Sequence, residues 1–224
     1  MPNVGIFASS YVAPGVIPGP GTFQQSNTSN TDASSYTFTA EPIGAADANR
    51  RVVVAIGYAA ASGGRTLSSV TIGGVTASVD ADPGAITGNR RIYLVSAVVP
   101  TGTTANVVIT LSNTVTRIGI GVWTLDNMAP TGQTAAVLNA SSGTLTVTTA
   151  TDEGVICFGY ASNGVSATPS DTTWTDATER YDQQVELVSN THTGADVIAT
   201  GTSTAIGFST TGILQRGFAA AAYA

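Results

Sequence analysis

The segment from Arg51 to Ala60 has the sequence Arg-Val-Val-Val-Ala-Ile-Gly-Tyr-Ala-Ala. Three adjacent valines followed by Ile56 and Tyr58 form a short apolar run of β-branched and aromatic residues, which favours a strand covered on both faces. A helix is disfavoured because adjacent valines crowd their χ1 angles against the preceding turn. A second segment, Val155-Ile-Cys-Phe-Gly-Tyr-Ala-Ser, repeats this format. We therefore predict that both segments are central strands of one sandwich.

Short strand-like segments continue along the chain, separated by Gly, Pro and Asn turns roughly every 8–12 residues. Tyr36-Thr-Phe-Thr alternates apolar and polar residues, and the segment from Leu67 to Val79 predicts a hairpin folded at Gly73-Gly74. No convincing amphipathic helix is present. The pattern predicts an all-β fold: a single β-sandwich or jelly-roll-like domain over residues 34–224. One echo between two segments is too little to predict a repeat protein.

The alternation from Arg117 to Leu125 places Ile118, Ile120 and Val122 on one face of a strand. Gly119 and Gly121 fall on the other face, where they leave room for a backbone or a bulky side chain to approach. The residues expected to be buried between the two sheets are Val53, Ile56, Ile92, Val108, Ile120, Val122, Ile156 and Phe158.

Residues 1–33 differ in composition from the rest of the chain. Pro14, Pro18 and Pro20 alternate with glycines, and because proline cannot donate to a ladder, this segment is predicted to be an extended N-terminal arm. A solvated tail is one interpretation. The other is an arm that docks on a neighbouring subunit, which its apolar side chains favour. The predicted assembly contacts are Ile6, Phe7, Tyr11 and Ile17.

Charged residues make up only 10% of the chain, the net charge is −6, and all eight basic residues are arginines. A nucleic-acid partner is nearly excluded because no basic stripe can neutralise phosphates. With so few charges, the surface must consist of Ser, Thr, Asn, Gly and Ala, which suits a protein packed against neighbours. No signal peptide and no apolar window of about 20 residues is recognisable, so we expect synthesis in the cytoplasm without membrane insertion.

The chain carries little of the chemistry that catalysis or metal binding needs. His192 is the only histidine; it lies in a polar stretch that predicts a hairpin loop, and we expect a surface residue without a catalytic role. Cys157 is the only cysteine and is expected to be a buried, inert thiol. A zinc site would need more His and Cys ligands than the chain contains. Asp80 and Asp82 could serve calcium, but Asp-x-Asp is common in turns. We predict no cofactor and no metal.

A group of acidic and aromatic residues in the carboxyl-terminal third of the chain gives two alternative hypotheses for function. Aromatic rings can stack on sugar rings while carboxylates bind hydroxyls, so these residues could form a glycan-binding platform or, with paired carboxylates, a glycan hydrolase site. A solvated loop with a local ion pair is the simpler interpretation. The candidate platform consists of Trp174, Asp176, Glu179 and Tyr181, beside Arg180 and further acids.

Several strand-and-turn segments resemble tailed-bacteriophage and prophage virion proteins. They include Thr31-Asp-Ala-Ser-Ser-Tyr-Thr-Phe-Thr-Ala, Ile43-Gly-Ala-Ala-Asp-Ala-Asn-Arg-Arg-Val, Val70-Thr-Ile-Gly-Gly-Val-Thr-Ala, Val99-Pro-Thr-Gly-Thr-Thr-Ala-Asn and Ile118-Gly-Ile-Gly-Val-Trp. The resemblance covers residues 30–165 and includes no functional motif, so it transfers no site residues.

The resemblance implies a non-enzymatic structural protein of the virion, such as a capsid decoration, head-fibre or tail-associated protein. Its expected partners are copies of itself and major capsid or tail proteins. The alternative is a carbohydrate-binding, receptor-recognition module of a fibre or tail, with a host surface glycan as the ligand.

Overall fold

A computed structural model describes residues 21–61, 63–87, 89–162, 172–186, 190–211 and 215–224. In these ranges the chain is all β, with eighteen strands and no helix, and every paired strand is antiparallel. The predicted all-β class is confirmed. The predicted assembly contacts Ile6, Phe7, Tyr11 and Ile17 lie outside the described residues.

The first half of the chain forms two sheets. Its strands are β1 (Thr22–Ser29), β2 (Ala33–Pro42), β3 (Arg50–Ala59), β4 (Leu67–Ile72), β5 (Val75–Thr76), β6 (Ser78–Ala81), β7 (Ala85–Thr87), β8 (Arg90–Val98), β9 (Thr104–Val115) and β10 (Arg117–Asp126). Sheet A has the order β1-β10-β3-β8-β6, with β7 also paired to β8, and sheet B has the order β2-β9-β4-β5.

The second half forms two further sheets. Its strands are β11 (Pro130–Leu138), β12 (Ser142–Thr148), β13 (Gly154–Ser162), β14 (Thr172–Thr175), β15 (Thr178–Glu186), β16 (Asn190–Ile198), β17 (Ser203–Thr210) and β18 (Gln215–Tyr223). Sheet C has the order β11-β18-β13-β16-β15, and sheet D has the order β12-β17-β14.

The two halves have the same topology. If β1, β2, β3, β4, β6, β8, β9 and β10 are matched in order to β11 through β18, the strand order of sheet A becomes that of sheet C, and β2-β9-β4 becomes β12-β17-β14. Across the junction, β1 contacts β15 and its counterpart β11 contacts β6, while β3 and β13 contact each other. This reciprocal pattern is that of an isologous, two-fold contact within one chain.

The sheets stack in the order B, A, C, D, with a hydrophobic core in each of the three interfaces. Ile56, Ile120 and Val122 lie between sheets A and B. A second core joins sheets A and C, and a third, containing Cys157, lies between sheets C and D. The structure therefore differs from the predicted single two-sheet sandwich over residues 34–224, because the two halves each build a sandwich and then pack back to back.

The list of expected core residues is correct except at one position. Val53, Ile92, Ile156 and Phe158 are buried, but between sheets A and C. Val108 is only half-buried, because its strand β9 directs Val107 and Ile109 into the core instead. Neighbouring residues of a strand point to opposite faces, so a prediction shifted by one residue selects the wrong face.

The two strands that we predicted to be central are central in different sheets. β3 is the middle strand of sheet A and β13 is the middle strand of sheet C. Both are covered on their two faces, as their apolar sequences predicted. The Gly-Tyr-Ala sequence that the two strands share packs differently in each. Tyr58 points toward sheet B in its own half, whereas Tyr160 points toward sheet A in the other half.

Two turn predictions had different outcomes. Gly73 and Gly74 do form the hairpin turn between β4 and β5, with φ angles of 60° and 81°, as expected for a two-residue loop. The segment Thr22–Ser29, predicted as part of the arm, is instead strand β1 at the edge of sheet A. Its Phe23 packs against Trp123, with ring centroids 5.2 Å apart.

Truncation of core residues tests these strand faces. We expect Ile120→Ala and Phe158→Ala each to lower the free energy of unfolding by about 2–5 kcal/mol, because both side chains are buried and leave cavities. Val108→Ala is the matched control on the outer face of sheet B and should cost about 0.5–1 kcal/mol. Urea unfolding measures all three. A larger loss at Val108 than at Ile120 would contradict the assigned faces of sheets A and B.

Candidate functional site

The structure does not bring the two aromatic rings of the predicted glycan platform together. Trp174 is on β14 and is buried between sheets D and C, where its Nε1 donates to Thr193 Oγ1 at 2.8 Å. Tyr181 is on β15 and packs on the other side of sheet C, beside Trp123 of sheet A. Sheet C therefore separates the two rings, and neither offers an exposed face on which a sugar could stack.

The two acids of the predicted platform are exposed. Asp176 lies in the turn between β14 and β15, with a φ of 64°. Glu179 lies near the start of β15, and partial burial raises the pKa of its carboxyl group. The platform of Trp174, Asp176, Glu179 and Tyr181 is thus divided among a core, a turn and an edge strand.

A buried carboxylate joins the two halves at the junction of sheets A and C. Asp196 on β16 is 1% exposed. It accepts hydrogen bonds of 2.8 Å from Arg180 Nε, Arg180 Nη2 and Trp123 Nε1. The bond to Asp196 raises the pKa of Arg180. Because Trp123 belongs to the first half and Asp196 to the second, the Trp123–Asp196 hydrogen bond links the two halves. The bidentate Arg180–Asp196 ion pair lies within the second half and orients the carboxylate that accepts this bond.

His192 is a core residue of β16, which corrects the prediction of a surface histidine in a hairpin loop. It is 2% exposed, and its ring packs on Gly119 of the facing sheet, 4.8 Å from the ring centroid of Tyr181. Its Nε2 lies 3.2 Å from Gln183 Oε1; since an amide oxygen only accepts, the Nε2–H donates. Burial lowers the pKa of His192 to about 3.

The remaining residues that were considered for chemistry have structural partners. Cys157 is buried, and burial raises the pKa of its thiol. Asp80 accepts a hydrogen bond from the Tyr223 hydroxyl at 3.1 Å, and Asp82 forms an ion pair with Arg91 at 3.3 Å. Within the described ranges, no three His, Cys, Asp or Glu side chains are grouped so that they could hold a metal ion.

The best candidate for a ligand site is an open groove on the outer face of sheet D. Its volume is about 560 Å³. Its floor is β17, where the small residues Ala205 and Gly207 leave space above the strand. Thr144 and Thr175 of the two neighbouring strands form its sides. Asp176, one of the predicted platform residues, is its only charged lining residue. We call it the sheet D groove.

Sequence reasoning found Asp176 but missed the rest of this groove. Thr144, Thr175, Ala205 and Gly207 come from three strands that are distant in sequence, and small alternating residues carry no chemical signature. Alternation does indicate that these residues lie on the exposed face. It does not indicate which strands are neighbours, so the groove became visible only when β12, β17 and β14 were paired.

Charge is distributed unevenly among the four layers. Seven of the eight arginines lie in strands of sheets A and C, the two middle layers. The strands of the outer sheets B and D contain a single charged residue, Glu41, which is 1% exposed and accepts a hydrogen bond from Asn27 Nδ2. Both outer faces therefore present mainly Ser, Thr, Asn, Ala and Gly side chains.

Comparisons with known proteins assign no family to this fold. No family model matches the chain, and it is significantly similar neither to a curated protein nor to a solved structure. In the part of the chain that the structure describes, no helix has the length and apolar character required to cross a membrane.

The buried imidazole should make the unfolding free energy depend on pH. Its folded-state pKa of about 3 lies below the ordinary value of 6.5, so between these values the unfolded state binds more protons and stability falls as the pH is lowered. From pH 7 to pH 5 we expect the wild type to lose about 2 kcal/mol more than His192→Gln. Chemical unfolding at several pH values measures both slopes, and His192→Asn serves as a second non-titrating variant. Equal slopes in the wild type and both variants would contradict a neutral, buried histidine.

Proposed function

We propose that the chain is a non-enzymatic structural protein of a virion of the tailed-bacteriophage type, and that it assembles on the particle as an auxiliary protein such as a capsid decoration. Its partners in this proposal are copies of itself and a major capsid or tail protein. The proposal places the protein in the virion after synthesis in the host cytoplasm. It rests on the sequence resemblance over residues 30–165 and on one structural observation.

That observation is the absence of exposed charge from the strands of both outer sheets. A protein that relies on its own surface for solubility usually intersperses charges over it. Here β4, β5, β9, β12, β14 and β17 contain no charged residue at all. Uncharged faces lose less hydration energy than charged ones when another protein covers them, because no charge has to be desolvated. Such faces at both ends of the stack support a role in a packed assembly.

We also propose that each half is a jelly roll, a fold found in viral capsid domains. In the first half, β1-β10-β3-β8 opposes β2-β9-β4-β5, which is the strand order of a jelly roll if β5 and β6 are two parts of one bent strand. In the second half, β11-β18-β13-β16 opposes β12-β17-β14.

The predicted docking arm gives a direct test of the assembly role. Burying Ile6, Phe7, Tyr11 and Ile17 on a neighbouring subunit would contribute about 1.5–3 kcal/mol for each side chain. We therefore expect deletion of residues 2–20, or replacement of these four residues by Ser, to lower the amount of the protein in purified particles. Quantitative mass spectrometry of particles from cells that lack the native gene and express each variant measures its ratio to the major capsid protein.

The deletion must end before β1, because Phe23 of that strand packs on Trp123. Deletion of 2–20 should leave the thermal midpoint unchanged, whereas a deletion that reaches residue 30 should lower it. Replacement of Asn3, Ser9 and Ser10 by Ala is the control for the four Ser substitutions. If the full-length protein is missing from particles, or is present without a fixed ratio, the proposed virion role is wrong.

A carbohydrate-binding role is the second candidate, and the sheet D groove favours it. The groove is open and uncharged except at Asp176, and its lining includes the hydroxyl groups of Ser142, Thr144, Thr175 and Ser209, which can exchange hydrogen bonds with sugar hydroxyls. It lacks an exposed aromatic ring, so its ligand would be held without stacking. No catalytic step is included in either proposal.

A substitution that fills the groove tests this role. Gly207→Val should abolish binding of any glycan that a host-surface glycan array detects for the wild type, because the valine side chain would occupy the space between β17 and Thr175. Thr175 Cβ lies only 3.2 Å from the position of an added Cβ. Thr37→Val, on the outer face of sheet B, is the control. If a glycan binds Gly207→Val as tightly as it binds the wild type and Thr37→Val, that glycan does not occupy the sheet D groove.

A further inference from the structure

The free edge of β12 differs from the other sheet edges in the described structure. Edge strands are usually protected from pairing with other chains by bulges, proline, charge or short length. β1, β2 and β15 contain register shifts, and β11 begins at Pro130 and has a shift of its own. β6 and β14 have four residues each, and β5 has two. β12 has seven residues, an uninterrupted register with β17, no proline and no charge.

The backbone of β12 is arranged so that its even-numbered residues face this free edge. Thr210 N donates to Ser141 O and Thr149 N donates to Thr202 O, so both of these directly opposed pairs are hydrogen-bonded pairs. Hydrogen-bonded pairs alternate along an antiparallel ladder. Leu145 and its odd-numbered neighbours therefore bond to β17, and the N–H and C=O groups of Ser142, Thr144, Thr146 and Thr148 point outward.

The same strand is self-complementary. If two copies of β12 lie antiparallel about a two-fold axis at Leu145, Thr144 is opposite Thr146 of the second copy, and Ser142 is opposite Thr148. These are the residues whose backbone groups take no part in the ladder with β17, and within the described ranges no other strand pairs with them. Their side chains are exposed on the outer face. Opposed threonines are a favourable cross-strand pair. Leu145 and Val147 stay in their own core.

The surroundings of this edge favour a second copy as the occupant. The chain has a net charge of −6, so two copies repel unless they meet where no charge is present. No charged residue occurs from Asn127 to Thr151, a stretch that contains β11 and β12. Val137 of β11 lies beside Gly143 of β12 and is half-buried. This side of the second half can therefore meet its own copy without like-charge repulsion.

We propose that the chain dimerises by antiparallel pairing of β12 with β12 of a second copy, which joins the two D sheets into one six-stranded sheet. The contact is isologous, as expected for a two-fold dimer. This inference deepens the proposed function, because it assigns the self-assembly of the protein to one surface. It can nevertheless be tested in solution, without particles.

A lysine on the proposed pairing edge should disrupt the dimer. We expect sedimentation of the full chain to show a dimer for the wild type and a dissociation constant raised by roughly tenfold or more for Thr146→Lys, because edge lysines oppose strand addition. Thr173→Lys, on the opposite edge strand of the same sheet, is the matched control and should dimerise like the wild type. A monomeric wild type at all concentrations, or a Thr146→Lys dimer of unchanged affinity, would overturn the proposal.

A disulfide provides a second measurement that does not depend on the lysine variant being folded. Thr144→Cys combined with Thr146→Cys should give a covalent dimer on mild oxidation, because opposed residues in a hydrogen-bonded pair have Cα atoms about 5.5 Å apart, within disulfide range. The control, Thr173→Cys with Thr175→Cys, should stay uncrosslinked. Equal crosslinking in both would contradict pairing at β12. A wild type that is incorporated normally into particles but is monomeric in solution would overturn this inference alone, whereas a wild-type dimer that is missing from particles would overturn only the virion role.

Discussion

The close approach of sheets A and C is the constraint on which the rest of the structure depends. Five glycines make it possible, because a Cβ on any of them would collide with a side chain across the interface or beside it. These glycines are Gly57, Gly119, Gly121, Gly194 and Gly217, and the groups that occupy the space include the rings of Tyr160, His192, Tyr181 and Trp123 and the side chain of Ile86. Side-chain rings of one sandwich therefore pack directly against the glycine backbone of the other. As a result, β3 and β13 are covered on both faces.

The junction has two-fold topology but unequal chemistry. At one end, where β10 faces β15 and β16, the interface contains Trp123, Tyr181, His192 and the Asp196–Arg180 pair. At the related end, Ile86 packs on Gly217, and a tyrosine, Tyr223, donates to Asp80. The polar end costs desolvation that its hydrogen bonds must offset. Residues that resemble a catalytic or sugar-binding group in sequence thus serve to hold the two halves in one orientation.

Because the middle sheets contain nearly all of the arginines, the outer sheets are left with hydroxyl and small side chains. In the middle sheets the arginines can form ion pairs, as Arg180 does with Asp196, or donate hydrogen bonds to main-chain carbonyl groups. Arg50 is fully buried and donates to main-chain carbonyls of Gly44, Ala45, Val99, Thr101 and Gly102. The outer faces and the β12 edge are then free of charge, which is the property that both the assembly role and the pairing of copies require.

The sequence by itself determined the elements: the all-β class, the β3 and β13 strands covered on both faces, the Gly73-Gly74 turn and the two faces of β10. Each follows from local alternation, branching or turn chemistry, which act within a few residues. Only the tertiary structure decided that β3 and β13 belong to different sheets, that His192 is buried, that Trp174 and Tyr181 are separated by sheet C, and that Thr144 and Thr175 flank one groove. These facts depend on pairings between distant strands, and a hydrophobic pattern specifies that a face is covered without specifying which sheet covers it.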